Sequence, residues 1–300
     1  MKKSLAMMTA AMMVAGALAG CGSSSSTPAA TTAAATEAAT TAATTPAATD
    51  AATTEAGDTA AAAEGTVKTP SGKFTVGFDQ EFPPMGFVGD DGQFTGFDLD
   101  LAKEVASRLG LEFVPQPINW DAKDMELDSG NIDCIWNGFT MQGREDAYTW
   151  VGPYMANNQV FVVNADSDIA SKADLAGKAV EVQKDSSGLA ALQSETELSA
   201  SFGSMTEVAD YNTALMDLES GACDAVCMDS IVAGYQIKSS GKDMKILDDT
   251  LSAEEYGIGF KKGEDELAKA VYDTLMEMKD DGTVAKISND WFGSDVFTLK

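Results

Sequence analysis

The phrase LDSGNIDCI at residues 127–135 returns almost unchanged as LESGACDAV at 218–226. Each copy ends an apolar helical stretch with serine and glycine, and three residues past the glycine an aspartate opens a short apolar run. A helix that stops at a glycine and turns into a buried strand reads this way. The glycine takes the left-handed backbone that closes the last turn, and the run after it lacks the polar alternation of a half-exposed strand. A chain that makes this junction twice is drawn toward α/β architectures. The phrase alone also fits two unrelated junctions, and what surrounds each copy decides between these readings.

Before the first copy, KFTVGFD (73–79) alternates like a strand and runs into the proline-stiffened loop QEFPPMGF. Residues 98–110 set Leu99, Ala102, Val105, Ala106 and Leu109 on one helical face, with Asp98 expected as N-cap and Gly110 as stop. Residues 111–114 read as a strand, a helical stretch follows Asn119 and Trp120, and the phrase then delivers a strand at 134–136. The order restarts with a strand at 178–183, a helix at 187–193, a helix at 210–220 and a strand at 225–228. Strand–helix–strand succession implies parallel pairing with helices on both faces, so two similar α/β units are predicted. A long helix from Glu264 to a stop at Gly282, and a short one containing Trp291, are left for either unit.

The first twenty residues carry Lys2 and Lys3 and then an apolar stretch too short and too soon interrupted to span a membrane, which marks an export signal. The LAGC that ends at Cys21 resembles the bacterial lipobox, which implies lipidation of Cys21 and anchoring to the extracytoplasmic face of the cell membrane. From there to residue 66 the chain is almost all Ser, Thr, Ala and Pro, too poor in large apolar residues to offset its ordering entropy, and it reads as a tether. The folded body is expected within 67–300. With 47 acids against 20 Lys and Arg, a net charge of −27 argues against nucleic acid and against an anionic membrane surface as partners of that body. The absence of histidine removes Ser-His-Asp and Cys-His catalysis and most catalytic zinc sites. No metal or cofactor motif is expected. Cys134, Cys223 and Cys227 lie in or beside apolar runs and read as buried free thiols, with a Cys223–Cys227 bridge left open.

Ligands of open α/β sheets sit outside the carboxyl ends of the strands. The first phrase leads there through Asn137, Gly138, Phe139 and Thr140 to Arg144, and the second leads past Cys227 and Met228 to Asp229. One unit thus offers a fixed cation beside a hydroxyl and the other a carboxylate. Facing each other, they match a zwitterion. Each residue has a plainer alternative: Arg144 pairing with Glu145 or Asp146, Asp229 capping a helix from Ser230, Phe82 and Trp120 packing in a core. Trp136 reads as core or cleft floor, and Asp133 and Asp224 as stabilisers of the glycine turns.

Eight landmarks carry a resemblance over residues 72–293: GFDQEFPPMGF (77–87), GFDLDLA (96–102), PINW (117–120), GFT with Arg144, VGPY (151–154), VQKDSSG (182–188), DAVCMD (224–229) and YGIGFKKG (256–263). In this order the chain resembles the extracellular amino-acid-binding proteins of bacterial ABC importers, the polar amino-acid group with the type II periplasmic-binding fold. The resemblance implies two α/β lobes with the ligand between them, lobe 1 comprising 67–156 and 253–300 and lobe 2 comprising 157–252. It implies that the chain crosses between lobes near 154–158 and returns near 251–256, and that the C-terminal helices join lobe 1. It implies a carboxylate subsite at Arg144, Thr140 and Gly138 with added donors from Ser186 and Ser187, and an ammonium subsite at Asp229. Guanidinium suits the first task because its planar fork meets a carboxylate with two parallel bonds. Phe82 and Trp120 would flank the ligand side chain, with Asp79 near its polar end. Two departures stand out: Arg144 is one residue closer to GFT than usual, and Asp185 occupies a position where glycine is common.

The implied role is delivery of a free L-amino acid, polar or basic rather than acidic, to an ABC permease by a lipid-anchored monomer. Two other roles exist for such a fold. One is a ligand sensor, and the other is an enzyme like the cyclohexadienyl dehydratases, in which Asp79 or Glu81 would serve as the acid.

Overall fold

The structure is a computed structural model, and it describes Thr69 and residues 71–300. The predicted signal (1–20), Cys21 with its predicted lipidation and the predicted tether to residue 66 lie outside the described residues. The first strands are β1 (Lys73–Phe78), β2 (Glu81–Phe82), β3 (Gly86–Val88) and β4 (Phe94–Thr95), followed by helix α1 (Phe97–Leu109), strand β5 (Glu112–Pro117), helix α2 (Lys123–Asp128) and strand β6 (Cys134–Thr140). A long strand β7 (Tyr148–Asn164) leads to β8 (Ala179–Gln183), α3 (Ser187–Ser194), α4 (Thr196–Ser201), β9 (Ser204–Val208), α5 (Tyr211–Ser220), β10 (Ala225–Asp229), α6 (Ser230–Ser240) and β11 (Met244–Ile246). The chain returns through β12 (Ser252–Lys261) and closes with α7 (Asp265–Asp280) and α8 (Thr283–Phe292).

The sheet order is β5-β1-β6-β12-β7-β10-β8-β9, with β11 also on β7, while β2, β3 and β4 form a separate small sheet. The outer trios β5-β1-β6 and β10-β8-β9 are parallel, as the strand–helix–strand order predicted, whereas β7 and β12 run antiparallel to their neighbours. Residues 253–256 of β12 pair with 155–158 of β7, and β6 joins β12 only from Tyr256 onward while β10 joins β7 only from Gln159. Two lobes, each a sheet flanked by helices, are joined through this pair of strands.

The repeat phrase does the same work in both lobes. Its glycines, Gly130 and Gly221, adopt the left-handed conformation, and the next amide reaches back to the last helical turn, Asn131 N–H to Glu126 and Ala222 N–H to Asp217. The repeated aspartates do not brace those turns. Asp133 donates its N–H to the Thr75 carbonyl (2.8 Å) and accepts the Thr75 N–H (2.6 Å), and Asp224 makes the same exchange with Ala179 (2.8 Å both ways). Each therefore fixes the register between its own strand and the parallel neighbour, β1 or β8.

Beyond the aspartates, β6 and β10 are buried along their full length because helices cover both faces. Alternate residues serve opposite sides: Cys134 and Trp136 join one core with Phe74, Val76 and α1, while Ile135 and Phe139 join another with Leu127 and Tyr148. Cys134, Cys223 and Cys227 are buried free thiols, so there is no Cys223–Cys227 bridge. Helices α7 and α8 pack on α1, where Arg108 bonds Asp281 (2.7 Å), the Trp291 indole donates to Asp100 (2.8 Å) and Phe292 meets Phe97.

Helix α1 corrects one expectation. Its N-cap is Gly96 at φ 144°, where a Cβ would stand 2.2 Å from the Met85 carbonyl oxygen. Asp98 lies one residue inside the helix and turns inward. Fully buried, it accepts the Gly138 N–H (2.7 Å) and the Tyr154 hydroxyl (2.8 Å). Burial pushes its pKa up to about 7.

Candidate functional site

The parallel strands of both lobes point their carboxyl ends at one crevice. From the first lobe, β1 delivers Asp79, β5 leads to Trp120, and β6 carries Gly138 and Thr140 before the turn to Arg144. From the second, β8 delivers Gln183 and the Ser186–Ser187 turn, and β10 ends on Asp229. Phe82, Trp120, Gly138, Thr140, Arg144, Gln183, Ser186, Ser187 and Asp229 line a single cavity of about 10 Å³, roughly the room of one water. Eight of the nine residues expected from sequence stand around it. The ninth, Asp79, lines a larger adjoining crevice of about 740 Å³ but accepts the Gln183 side-chain amide at 2.7 Å.

Gly138 sits at φ 57°, and a Cβ there would lie 2.9 Å from the Phe82 ring and 3.1 Å from Tyr256, so backbone and aromatic rings approach in a way only glycine permits. Beyond it, the Arg144 guanidinium donates to the carbonyls of Thr140 (3.2 Å) and Asp185 (3.3 Å) and lies over the Phe139 ring. Among the described residues it forms no ion pair, with Glu145 and Asp146 included. A cation held by neutral acceptors and one aromatic face keeps its charge free for an incoming anion. Ser186 caps α3, accepting the Leu189 N–H at 3.1 Å. Ser187 stands opposite Thr140, the two hydroxyl oxygens 3.2 Å apart across the crevice.

Asp185 adopts the left-handed conformation at φ 55°, which explains why glycine suits this position. Here the aspartate forms an ion pair across the crevice with Lys123, which is 2% exposed and whose pKa burial lowers. Lys184 and Asp121 pair across the same gap at 2.6 Å.

Asp229 occupies the N-cap position of α6, but its side chain makes no capping bond. It accepts from the Asn157 amide (2.7 Å) and from the hydroxyls of Tyr256 (2.8 Å) and Tyr211 (3.1 Å). Glu254, 5% exposed, accepts from the same Asn157 amide nitrogen (2.7 Å), from Gln159 (2.9 Å) and from Ser187 (3.3 Å). Burial first, and the Glu254 carboxylate second, push the Asp229 pKa up to about 7. At an effective dielectric near 20, two like charges about 4 Å apart repel by roughly 4 kcal/mol, enough to keep a proton on one of them near neutrality. Asp79 is also raised, to about 6, mainly by burial.

Sequence reasoning missed Asn157, Gln159, Gln183, Tyr211, Glu254 and Tyr256. The signal for Glu254 was present: in SAEEY the crossing strand alternates, with Glu254 and Tyr256 buried and Ala253 and Glu255 exposed. Two adjacent acids read as a solvated surface until the partner strands are known. Phe82 and Trp120 both line the cavity, the latter edge-on to Phe139 and beneath the Lys123 ammonium, while Trp136 is core. Among the described residues no group of three or more acids and cysteines is placed to hold a metal ion.

Residues 74–294 match the family model of bacterial extracellular solute-binding proteins, family 3. This chain belongs to that family. Relatives of this solute-binding protein include the L-cystine-binding protein TcyJ of Escherichia coli (strain K12), 33% identical with 75% of this chain and 84% of the relative covered. The L-cystine-binding protein TcyA of Bacillus subtilis (strain 168) is 32% identical, with 75% and 83% covered. Among solved structures, an ABC uptake transporter substrate-binding protein from Streptococcus pneumoniae with bound histidine has a TM-score of 0.74 and 34% identity, covering 76% of this chain and 95% of its own. An ancestral arginine-binding protein bound to arginine has a TM-score of 0.70 and 36% identity, covering 74% and 99%. The type II periplasmic-binding fold is thereby shared.

Proposed function

We propose that this solute-binding protein captures a free L-amino acid between its lobes and presents it to the permease of an ABC importer, acting as a receptor and not as an enzyme. The observation that carries this reading is the pairing of an uncommitted guanidinium, Arg144, with a buried, cation-free carboxylate, Asp229, on one small cavity built by both lobes. The ligand carboxylate meets Arg144, the Thr140 hydroxyl, the Gly138 backbone and the α3 turn at Ser186 and Ser187, and its ammonium meets Asp229. Phe82 and Trp120 flank the side chain, which extends toward Asp79. The crevice beyond Trp120 is lined by Asp79, Glu81, Asp121, Glu126, Glu207 and Asp210 against one cation, Lys184, and so favours a basic or polar neutral side chain over an acidic one. Relatives described as binding cystine, arginine and histidine agree in kind.

The lobe boundaries proposed from sequence, 67–156 with 253–300 and 157–252, are supported by the stretch where β7 and β12 pair only with each other. The proposed location is the extracytoplasmic face of the membrane, as a monomer tethered through a lipid on Cys21. Isothermal calorimetry with a panel of L-amino acids tests the reading: micromolar or tighter binding of a basic or polar member is expected, and folded protein that gives heat with none of them would refute it.

A further inference from the structure

The chemistry assigned to Asp229 leaves Glu254 unexplained. Both carboxylates are more than nine-tenths buried, both accept from the one Asn157 amide nitrogen, and among the described residues neither has a cationic partner within ion-pair distance. Among the described residues, the side chains that hydrogen-bond to them are all neutral. Asn157 and Gln159 come from β7, Tyr211 from α5, Tyr256 from β12, Cys227 from β10 and Ser187 from α3. Tyr211, Tyr256 and Cys227 all stay protonated, their pKa values raised well above the usual by burial and by these acids. Arg144, which lines the cavity with Asp229, donates to the carbonyls of Thr140 and Asp185 and forms an ion pair with neither acid. Two buried acids with only neutral neighbours cannot both hold a charge cheaply, and the compensating cation has to come from outside.

We propose that Glu254 is a positioning residue of the ammonium subsite: its carboxylate keeps a proton on Asp229 until the ligand's ammonium arrives, and binding expels that proton to solvent. The step balances as Asp229 carboxylic acid plus R–NH₃⁺ giving an Asp229 carboxylate–ammonium pair plus H⁺. The inference rests on the amino-acid-binding reading above. Its consequence is a receptor whose affinity falls in acid, because protons compete with ligand for one carboxylate. It also selects for ligands carrying a full positive charge at the α-nitrogen.

The test uses the mature protein with L-arginine and L-glutamine as probes, titrated calorimetrically at pH 7 in phosphate and in Tris, whose ionisation enthalpies differ. Release of about half a proton per ligand is expected, with affinity about tenfold weaker at pH 6 than at pH 8. Glu254→Gln is expected to bind with little proton release and a flattened pH profile, which a merely structural Glu254 would not produce. Binding with equal heats in both buffers would overturn the inference while leaving the amino-acid reading intact. If neither probe binds, the carboxyl carbon resonance of Asp229 in ligand-free protein decides. A midpoint near neutrality that moves toward acid in Glu254→Gln supports the coupling, and an unmoved midpoint overturns it.

Discussion

Arg144 and Asp98 show how little a residue's immediate neighbours say about its task. Arg144 sits in GRED, flanked by acids, yet makes no ion pair with them and rests on carbonyls and the Phe139 ring. Arg144→Ala is therefore expected to weaken amino-acid binding at least 100-fold, about 3 kcal/mol for a lost charge-assisted pair, while changing the melting temperature little. Arg144→Lys keeps the charge without the fork and should recover only part of that loss; calorimetry and a thermal melt on each variant check both halves. Asp98 looks like an N-cap because it precedes an apolar period, but the cap is Gly96 and the carboxylate holds Gly138 and Tyr154. Asp98→Ala is expected to destabilise by about 2–4 kcal/mol, far above the usual cost of a lost cap, because it strands a buried N–H and a buried hydroxyl. Denaturant unfolding measures it. The eight predicted residues that line the cavity were legible because they lie in or within a few residues of the carboxyl end of a strand. Glu254 was not, since its burial depends on which strands flank β12.

The α1 entry and the crossing strands carry the local economy of the fold. At Gly96 any side chain meets the Met85 carbonyl, so Gly96→Ala is expected to cost more than about 2 kcal/mol through backbone displacement, against the few tenths typical of a cap exchange; chemical denaturation separates these outcomes. The repeat phrase was readable as two helix–glycine–strand junctions because glycine and a short apolar run are local signals. Its aspartates were not readable as register clamps, because their partners, Thr75 and Ala179, lie 58 and 45 residues away. Strand β7, 17 residues long, had no counterpart among the elements read from sequence, and it is one continuous element shared by both lobes.

Across the whole molecule, contacts between the lobes and buried acids govern behaviour. The site cavity of about 10 Å³ cannot admit an amino acid, so binding requires the lobes to separate first. Gln183–Asp79, Thr140–Ser187 and Lys123–Asp185 bridge them. Asp185→Ala leaves the Lys123 ammonium buried without its carboxylate, which favours separation; a larger ligand-free radius of gyration by X-ray scattering, restored by ligand, is expected. Stability should depend on pH with a definite sign. Asp79, raised to about 6, and Asp98 and Asp229, raised to about 7, bind protons in the folded chain that the unfolded chain has already released. Stability of the ligand-free protein thus falls as pH rises from about 4, the unfolded carboxylate value, through 7, and levels above it. With no histidine in the chain, no imidazole titrates there, and melts between pH 5 and 8 follow these carboxylates. By itself the sequence determined the α/β units, the family and the strand-end residues, since each is written in short-range periodicity, glycine placement and motif order. The acid pair at Asp229 and Glu254, the inward turn of Asp98 and the ion pair that Asp185 makes across the crevice were decided only by the tertiary structure. Burial and distance between segments far apart in the chain set the charge state of a carboxylate, and neither quantity is a property of the residue's own neighbourhood in sequence.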